Sequence, residues 1–325
     1  MKRREVITLL VGAAAWPLAA RAQRPAMPVI GSLSTVSPET SQAFYVAFYE
    51  GLASLGYIQG ENLTVEARWA EGRYDRLPEL AADLVRRRVA VIAAFAPPAT
   101  LAAMRATVTI PIVATFDSDP VASSLIASLN RPGGNATGVS VLASELEPKR
   151  LGLLRELMPQ AATLGLLLNP NFPAAAIQLR DTEEAARTVG LELHVLRAGT
   201  DQEIDAAFAS VPQHRLSALL VAPDPFFLTR RDKLAALAVR HAVATMSSFR
   251  DYAVAGGLMS YGIDLADVYR QVGVYVGRIL KGENPGNLPV IQPTKFELII
   301  NLTTAKALAL DIPPGVLAIA DEVIE

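Results

Sequence analysis

Short runs that are apolar at nearly every position recur along the chain at intervals of about 25 to 30 residues, and the stretches between them repeat their apolar residues at helical spacing. Strands are predicted at 29–33, 63–69, 89–95, 112–116 and 137–141, then at 164–168, 191–196, 218–221, 244–247 and 258–261. Segments such as Val89-Ala-Val-Ile-Ala-Ala-Phe95 and Leu164-Gly-Leu-Leu-Leu168 lack the polar alternation of a half-solvated strand. That composition fits strands buried on both faces of a parallel sheet, with helices as crossovers. The pattern is written twice in a 325-residue chain, which predicts an α/β protein with two lobes, each a mainly parallel sheet flanked by helices.

The intervening segments carry helix signals. Ser37-Pro38 places a capping residue before a proline, and Ser144-x-x-Glu147 and Thr200-x-x-Glu203 have the form of capping boxes. Between Asp264 and Lys281 an apolar stripe runs through Leu265, Val268, Tyr269, Val272, Val276, Ile279 and Leu280, and Gly282 with Pro285 beyond it ends that helix. Asn130-Arg-Pro-Gly-Gly-Asn135 is a loop.

The first 22 residues have the form of a secretory leader: Lys2, Arg3 and Arg4, an apolar stretch from Val6 to Leu18, and the small-x-small pattern Ala20-Arg21-Ala22. The stretch is too short for a membrane span, which needs roughly 20 residues. Arg3-Arg4-Glu-Val-Ile resembles a twin-arginine leader with Val6 where an aromatic often stands, and the choice between the twin-arginine and general secretory routes stays open. Removing the leader's four cations and one anion from 30 basic and 32 acidic residues leaves about five net negative charges, so nucleic acid is not an expected partner. With no cysteine, the chain has no disulfide, no thiolate metal site and no lipid-bearing Cys. A soluble, monomeric periplasmic protein without stable membrane insertion is expected, and neither cofactor nor metal.

In an open parallel sheet ligands bind beyond the carboxyl ends of the strands. The residues there are polar or aromatic: Ser34 and Thr35, Pro97-Pro98, Asp117 and Asp119, then Asn169, Asp224 with Phe226 and Phe227, Phe249, and Tyr261. Ser140 stands at the end of the fifth strand. Asp119-Pro120, Asn169-Pro170 and Asp224-Pro225 repeat one device, read as a helix cap with proline at the first helical position; a capped helix end in a cleft also offers N–H groups to an anion. The candidate ligand wall is therefore Ser34, Thr35, Asp117, Asp119, Ser140, Asn169, Asp224, Phe249 and Tyr261. Signs of catalysis are sparse. The three histidines, His194, His214 and His241, have no metal-binding spacing, and the nucleophile-elbow, P-loop and dinucleotide motifs do not occur.

Gly51-Leu-Ala-Ser-Leu-Gly-Tyr57, Gly60-Glu-Asn-Leu63 and Arg68-Trp-Ala-Glu-Gly-Arg-Tyr-Asp-Arg-Leu-Pro-Glu-Leu80 resemble the opening of a family of ABC transporter substrate-binding proteins. The resemblance continues through Ser128-Leu-Asn-Arg-Pro-Gly-Gly-Asn-Ala-Thr-Gly138, Glu145-Leu-Glu-Pro-Lys-Arg150, Gly256-Gly-Leu-Met-Ser-Tyr-Gly262 and Pro293-Thr-Lys-Phe-Glu-Leu-Ile-Ile-Asn301. It implies a periplasmic-binding-protein fold of the first type, with ligand held between two lobes joined by three crossings near 139–142, 258–262 and 289–293. The lobes implied are 27–139 with 258–290, and 140–257 with 291–325, the latter closed by a strand at 296–300 and a helix at 303–310. The tryptophan-binding receptors that the chain is similar to are generally lipid-anchored, and it departs from them in lacking the anchoring Cys.

The function implied is capture of a small organic solute, an amino acid or aromatic carboxylate, by hinge closure, and its delivery to an inner-membrane ABC permease and its ATPase. Two alternatives stay open: an exported α/β hydrolase that brings a Ser, one of the histidines and a carboxylate together, and a receptor that hands its liganded form to a membrane sensor.

Overall fold

A computed structural model of the protein describes residues 27–117, 119–141 and 144–325; the leader expected over 1–22 lies outside them. The first sheet holds β1 (Val29–Ser34), β2 (Thr64–Trp69), β3 (Val91–Phe95), β4 (Ile112–Phe116) and β5 (Ala136–Ser140) in the order β2-β1-β3-β4-β5, with every neighbour parallel. The second holds β6 (Thr163–Leu168), β7 (Glu192–Arg197), β8 (Ala218–Val221), β9 (Ala244–Ser247), β10 (Met259–Ile263), β11 (Phe296–Asn301) and β12 (Glu322–Ile324). Their order is β12-β11-β10-β9-β8-β6-β7, and only the β10–β11 pair is antiparallel. The ten strands predicted from the sequence are all present, with ends displaced by at most two residues.

The helices are α1 (Pro38–Ala53), α2 (Leu77–Arg86) and α3 (Pro97–Ala106) in the first lobe, then α4 (Glu147–Leu157), α5 (Ala175–Thr188), α6 (Asp201–Ser210), α7 (Pro225–Leu228), α8 (Arg231–Arg240) and α9 (Arg250–Val254) in the second. After β10 come α10 (Leu265–Leu280), α11 (Leu302–Ala307) and α12 (Pro314–Ala318). Among the described residues no helix is long and apolar enough to cross a membrane.

Burial explains why strands such as β3 and β8 are apolar throughout. Along β3, Val91, Ala93 and Phe95 enter a core beneath α1 and α10, while Ile92 and Ala94 enter another beneath α2 and α3. In the second lobe Leu166 and Leu220 face α4 and α5, and Leu167, Leu219 and Val221 face α6 and α8. Each sheet is thus covered twice, so both faces favour apolar side chains, and the buried Ser32, Thr115 and Thr245 are each hydrogen-bonded.

Cap chemistry sets several boundaries. Ser37 Oγ accepts from Thr40 N at 3.3 Å to open α1. Thr200 Oγ1 accepts from Glu203 N at 3.2 Å, while Glu203 Oε2 reaches back to Gly199 N at 2.8 Å, one residue earlier than the capping box expects. The three Asx-Pro pairs diverge. Only Asp224 opens a helix, α7. Asp119 closes a local turn by accepting from Val121 N (2.8 Å) and Ala122 N (3.2 Å), and Asn169 accepts from Asn171 N (2.9 Å) in a turn that ends before α5.

The crossings are tightly grouped. Val139 pairs with Ile291, Ser140 N donates to Ile291 O at 2.8 Å, and Ile291 N donates to Gly138 O at 2.9 Å. The return differs from the expected 258–290 segment. Residues 259–263 form β10, whose Met259 and Ser260 pair with Met246 and Ser247 of β9, so the strand belongs to the second sheet. The chain re-enters the first lobe at Asp264, whose Oδ1 accepts from Ala266 N at 2.8 Å and Asp267 N at 3.3 Å to cap α10. α10 then lies along α1 and covers the first sheet.

Candidate ligand-binding cleft

Strand ends from both lobes converge on one cleft. The first lobe supplies Thr35 and Val36 after β1, Ala96 and Pro97 after β3, Thr115 and Asp117 at the end of β4, and Phe44 from α1. The second supplies Arg150, Phe172, the prolines on either side of Asp224, Ser248 and Phe249. Leu265, Val268 and Tyr269 from the first turns of α10 complete the wall. The lining is mostly apolar, with Thr35, Thr115, Asp117, Arg150 and Ser248 as its side-chain polar groups, which suits a small organic molecule with a charged end.

The aromatic part of the wall is fixed from behind. Tyr269 stacks on Phe95 with centroids 4.0 Å apart and planes 6° apart, and packs on Phe44 at 5.3 Å. Its hydroxyl meets Ser34, and burial raises it well above its ordinary range. Ala96 is held at φ 74°, ψ 152°, a region that a residue with a Cβ adopts at a cost of about 1–3 kcal/mol. Two neighbours hold it there: Ala96 N donates to Thr115 Oγ1 at 2.6 Å, and Pro97 starts α3 immediately after.

Charge is concentrated at the junction of the lobes. Arg150 and Glu147 are both buried and pair at 3.1 Å, and Arg150 Nε donates to the Tyr261 carbonyl at 2.7 Å. Burial raises Glu147 and Arg150 opposes that rise, while burial lowers Arg150 and the carboxylates of Glu147 and Asp117 oppose it. Asp117 keeps part of its surface in the cleft, yet the surrounding protein pushes it up to about 7 by burial first and by the negative Glu147 next, with Arg150 pulling the other way. Asp224 is fully buried and pushed up to about 6 by burial, held back by hydrogen bonds from Tyr74 and from Phe226 N. Among the described residues, Ser140 Oγ, Glu147 Oε2 and Ser248 Oγ are buried without a hydrogen-bond partner, and each belongs to a lining residue or to its immediate neighbour in the chain. Such atoms are rare in folded proteins and collect where a polar ligand or water completes the site.

Of the residues singled out in the sequence, Thr35, Asp117 and Phe249 line the cleft. Ser34 stands behind it, its Oγ accepting from Val36 N at 3.4 Å, and Ser140 is buried next to the lining residue Val141. Asp224 lies between two lining prolines with its carboxylate turned to α7 and Tyr74. Asn169 is buried in the turn below Phe172, and Tyr261 contributes its carbonyl to Arg150 while its ring packs near Phe296 at 6.4 Å. Asp119 is not brought to the cleft: it is exposed, caps its own turn and borders a surface groove with Glu145 and Arg180.

Sequence reasoning passed over Arg150, Tyr269, Phe44 and Phe172. The spacing of Glu147 and Arg150, three residues apart on one helix face, is a signal for the first; the aromatics read as core because they also pack as core. The histidines lie elsewhere. His194 and His214 stack on each other at 3.8 Å at the β7 edge of the second sheet, and His241 lies 6.2 Å from Phe208.

Residues 30–324 match the profile of a family described as ABC transporter substrate binding protein. A tyrosine-binding protein of Clostridioides difficile (strain R20291) is 28% identical over 261 residues, 80% of this chain and 75% of the relative. An ABC domain from Streptococcus pneumonia in complex with L-Trp superposes with a TM-score of 0.82 at 25% identity, over 91% of this chain and 99% of that one. A ligand-free, open structure of a substrate binding protein with adhesive properties from Clostridium difficile matches at the same identity and coverage with a TM-score of 0.65. Two mostly parallel sheets joined by grouped crossings, with a cleft walled by both, make a periplasmic-binding-protein fold of the first type, and the chain belongs to the ABC transporter substrate-binding protein family.

Proposed function

We propose that the protein captures a zwitterionic amino acid with a large apolar or aromatic side chain in the periplasm, closes its two lobes over it and delivers it to an inner-membrane ABC permease and its ATPase. The carrying observation is the cleft itself, where Asp117 of one lobe faces the buried Arg150 of the other within walls made of Phe44, Phe172, Phe249 and Tyr269. An ammonium group complements Asp117, a carboxylate is attracted by Arg150, and an apolar side chain matches the rings. The tyrosine-binding and L-Trp-bound relatives support this ligand class.

Closure about a hinge is supported by the two superpositions: at equal identity and coverage the chain resembles the L-Trp complex more than the open, ligand-free relative. Ligand contacts from both lobes then favour the closed form over the open one. The secretory leader pattern supports export, and the absence of any cysteine supports a receptor that diffuses freely.

A thermal-shift series on protein beginning at Gln23 tests the ligand class. L-tryptophan, L-tyrosine and L-phenylalanine are expected to raise the melting temperature, because a ligand that binds only the folded state stabilises it. Indole-3-propionate and phenylpropionate, which lack the ammonium group, are expected not to. A shift with the deaminated acids alone would replace the zwitterion by a simple carboxylate, and no shift with any of the five would overturn the reading.

A further inference from the structure

We propose that Tyr74 is a closure latch: a first-lobe residue that holds the second lobe shut from the rim of the cleft without touching the solute. Tyr74 is absent from the cleft lining, yet its ring packs against the hydrophobic cores of both lobes. Its hydroxyl donates to Asp224 Oδ1 and accepts from Phe226 N at 3.3 Å, and its ring stands edge-on to Phe172 at 6.1 Å. All three partners belong to the second lobe.

The chain is bent to make this reach. Glu71 and Gly72 are both left-handed, with φ of 56° and 78°, and they turn the strand end of β2 toward the other lobe just before the single 3₁₀ turn Tyr74–Arg76. A non-glycine residue in that conformation is uncommon. A Cβ on Gly72 would stand 3.4 Å from Nη1 of Arg230, so the loop passes close to the second lobe before Tyr74 itself makes contact.

The bond is also suited to release. Burial raises the Tyr74 hydroxyl well above its ordinary range, with the Asp224 charge adding to that, so it stays protonated and remains a donor. The cap bond from Phe226 N to Asp224 Oδ1 (2.7 Å) lies wholly within the second lobe. Opening therefore removes one donor from a carboxylate that water then reaches, and the second lobe loses no structure of its own. This inference rests on the two-lobe closure proposed above, but its test needs no solute.

Ser123 of the first lobe and Ile177 of the second are exposed and border one groove across the cleft mouth, and the chain has no cysteine to interfere with labelling. Spin labels on the S123C/I177C protein report the gap between the lobes. In the ligand-free protein, Tyr74→Phe, which keeps the ring, is expected to shift the distance distribution to longer values. Saturating L-tyrosine, where it binds, is expected to restore the short distance, with affinity about tenfold weaker and dissociation faster. Asp224→Asn, which keeps an acceptor for Phe226 N, is expected to give an intermediate distribution and serves if the phenylalanine variant folds poorly. A ligand-free distribution identical to the parent's in both variants would overturn the latch. Failure of every amino acid to bind would overturn the proposed ligand class and leave the ligand-free distances to decide the latch.

Discussion

Gly51 of α1 and Gly273 of α10 face each other at backbone contact: a Cβ on Gly273 would lie 3.2 Å from the Gly51 Cα and 2.2 Å from Phe48 O, and one on Gly51 would lie 2.1 Å from Arg270 O. Two helices far apart in sequence thus pack with no side chain between them at this point, and α10 carries Tyr269 to the cleft at a fixed depth. Gly51→Ala and Gly273→Ala are each expected to destabilise the protein by about 2–3 kcal/mol, because the clash is with backbone and outweighs alanine's better helix propensity of about 1 kcal/mol. Urea unfolding measures it, and a neutral result would show that the helices separate at little cost.

Ala96 has the opposite sign. Its φ of 74° and ψ of 152° favour glycine, so Ala96→Gly is expected to stabilise the fold by about 1 kcal/mol after the entropy cost of glycine is subtracted. The same change loosens the first turn of the cleft wall, and ligand affinity is expected to fall while the melting temperature rises. Calorimetry and thermal unfolding of one preparation check both.

Arg150 and Glu147 separate stability from recognition. Arg150→Met leaves a buried carboxylate without its partner and is expected to cost about 3–5 kcal/mol, whereas Glu147→Leu/Arg150→Met removes the whole pair and is expected to recover most of that. Amino-acid binding is expected to stay lost in the double variant. Recovery of binding would exclude Arg150 from ligand attraction.

The acid groups of the cleft give a pH dependence with a defined sign. Asp117 and Asp224 titrate at about 7 and about 6 in the folded chain, against about 3.9 in an unfolded one. Between those values the folded protein holds protons that the unfolded chain has released, so the stability of the ligand-free protein is expected to fall as pH rises from about 4 to about 7. Binding of an ammonium group runs the other way: it favours ionised Asp117, so affinity is expected to rise over the same range with release of protons. Melting curves across pH, and calorimetry in buffers of different ionisation enthalpy, test the two signs; Asp117→Asn is expected to flatten the affinity profile and to leave the Asp224 part of the stability slope.

The fold was legible because its strands are buried twice over: β3 and β8 are apolar on every residue, and no other common architecture asks that of so many short runs. β10 was found as a strand but assigned to the wrong lobe, since its alternation does not say which sheet it joins; the Met259–Met246 pairing does. The cleft was legible only in part. Thr35 and Asp117 follow strands directly, and strand ends are where the topology gathers ligand groups. Tyr269 and Arg150 reach the same space from helix faces, where a cleft residue and a core residue have the same spacing. Asp119 shows the reverse case, an acid placed after a strand whose Oδ1 accepts from its own turn away from the cleft.

The helix α10 has a consequence for biosynthesis. It covers the face of the first sheet presented by Ile30, Val91, Val113 and Val139, yet residues 141–263, nearly the whole of the other lobe, are made before it. Until α10 is made, that face of the first lobe is covered by α1 alone. Completion of the first lobe therefore waits until most of the second has been made.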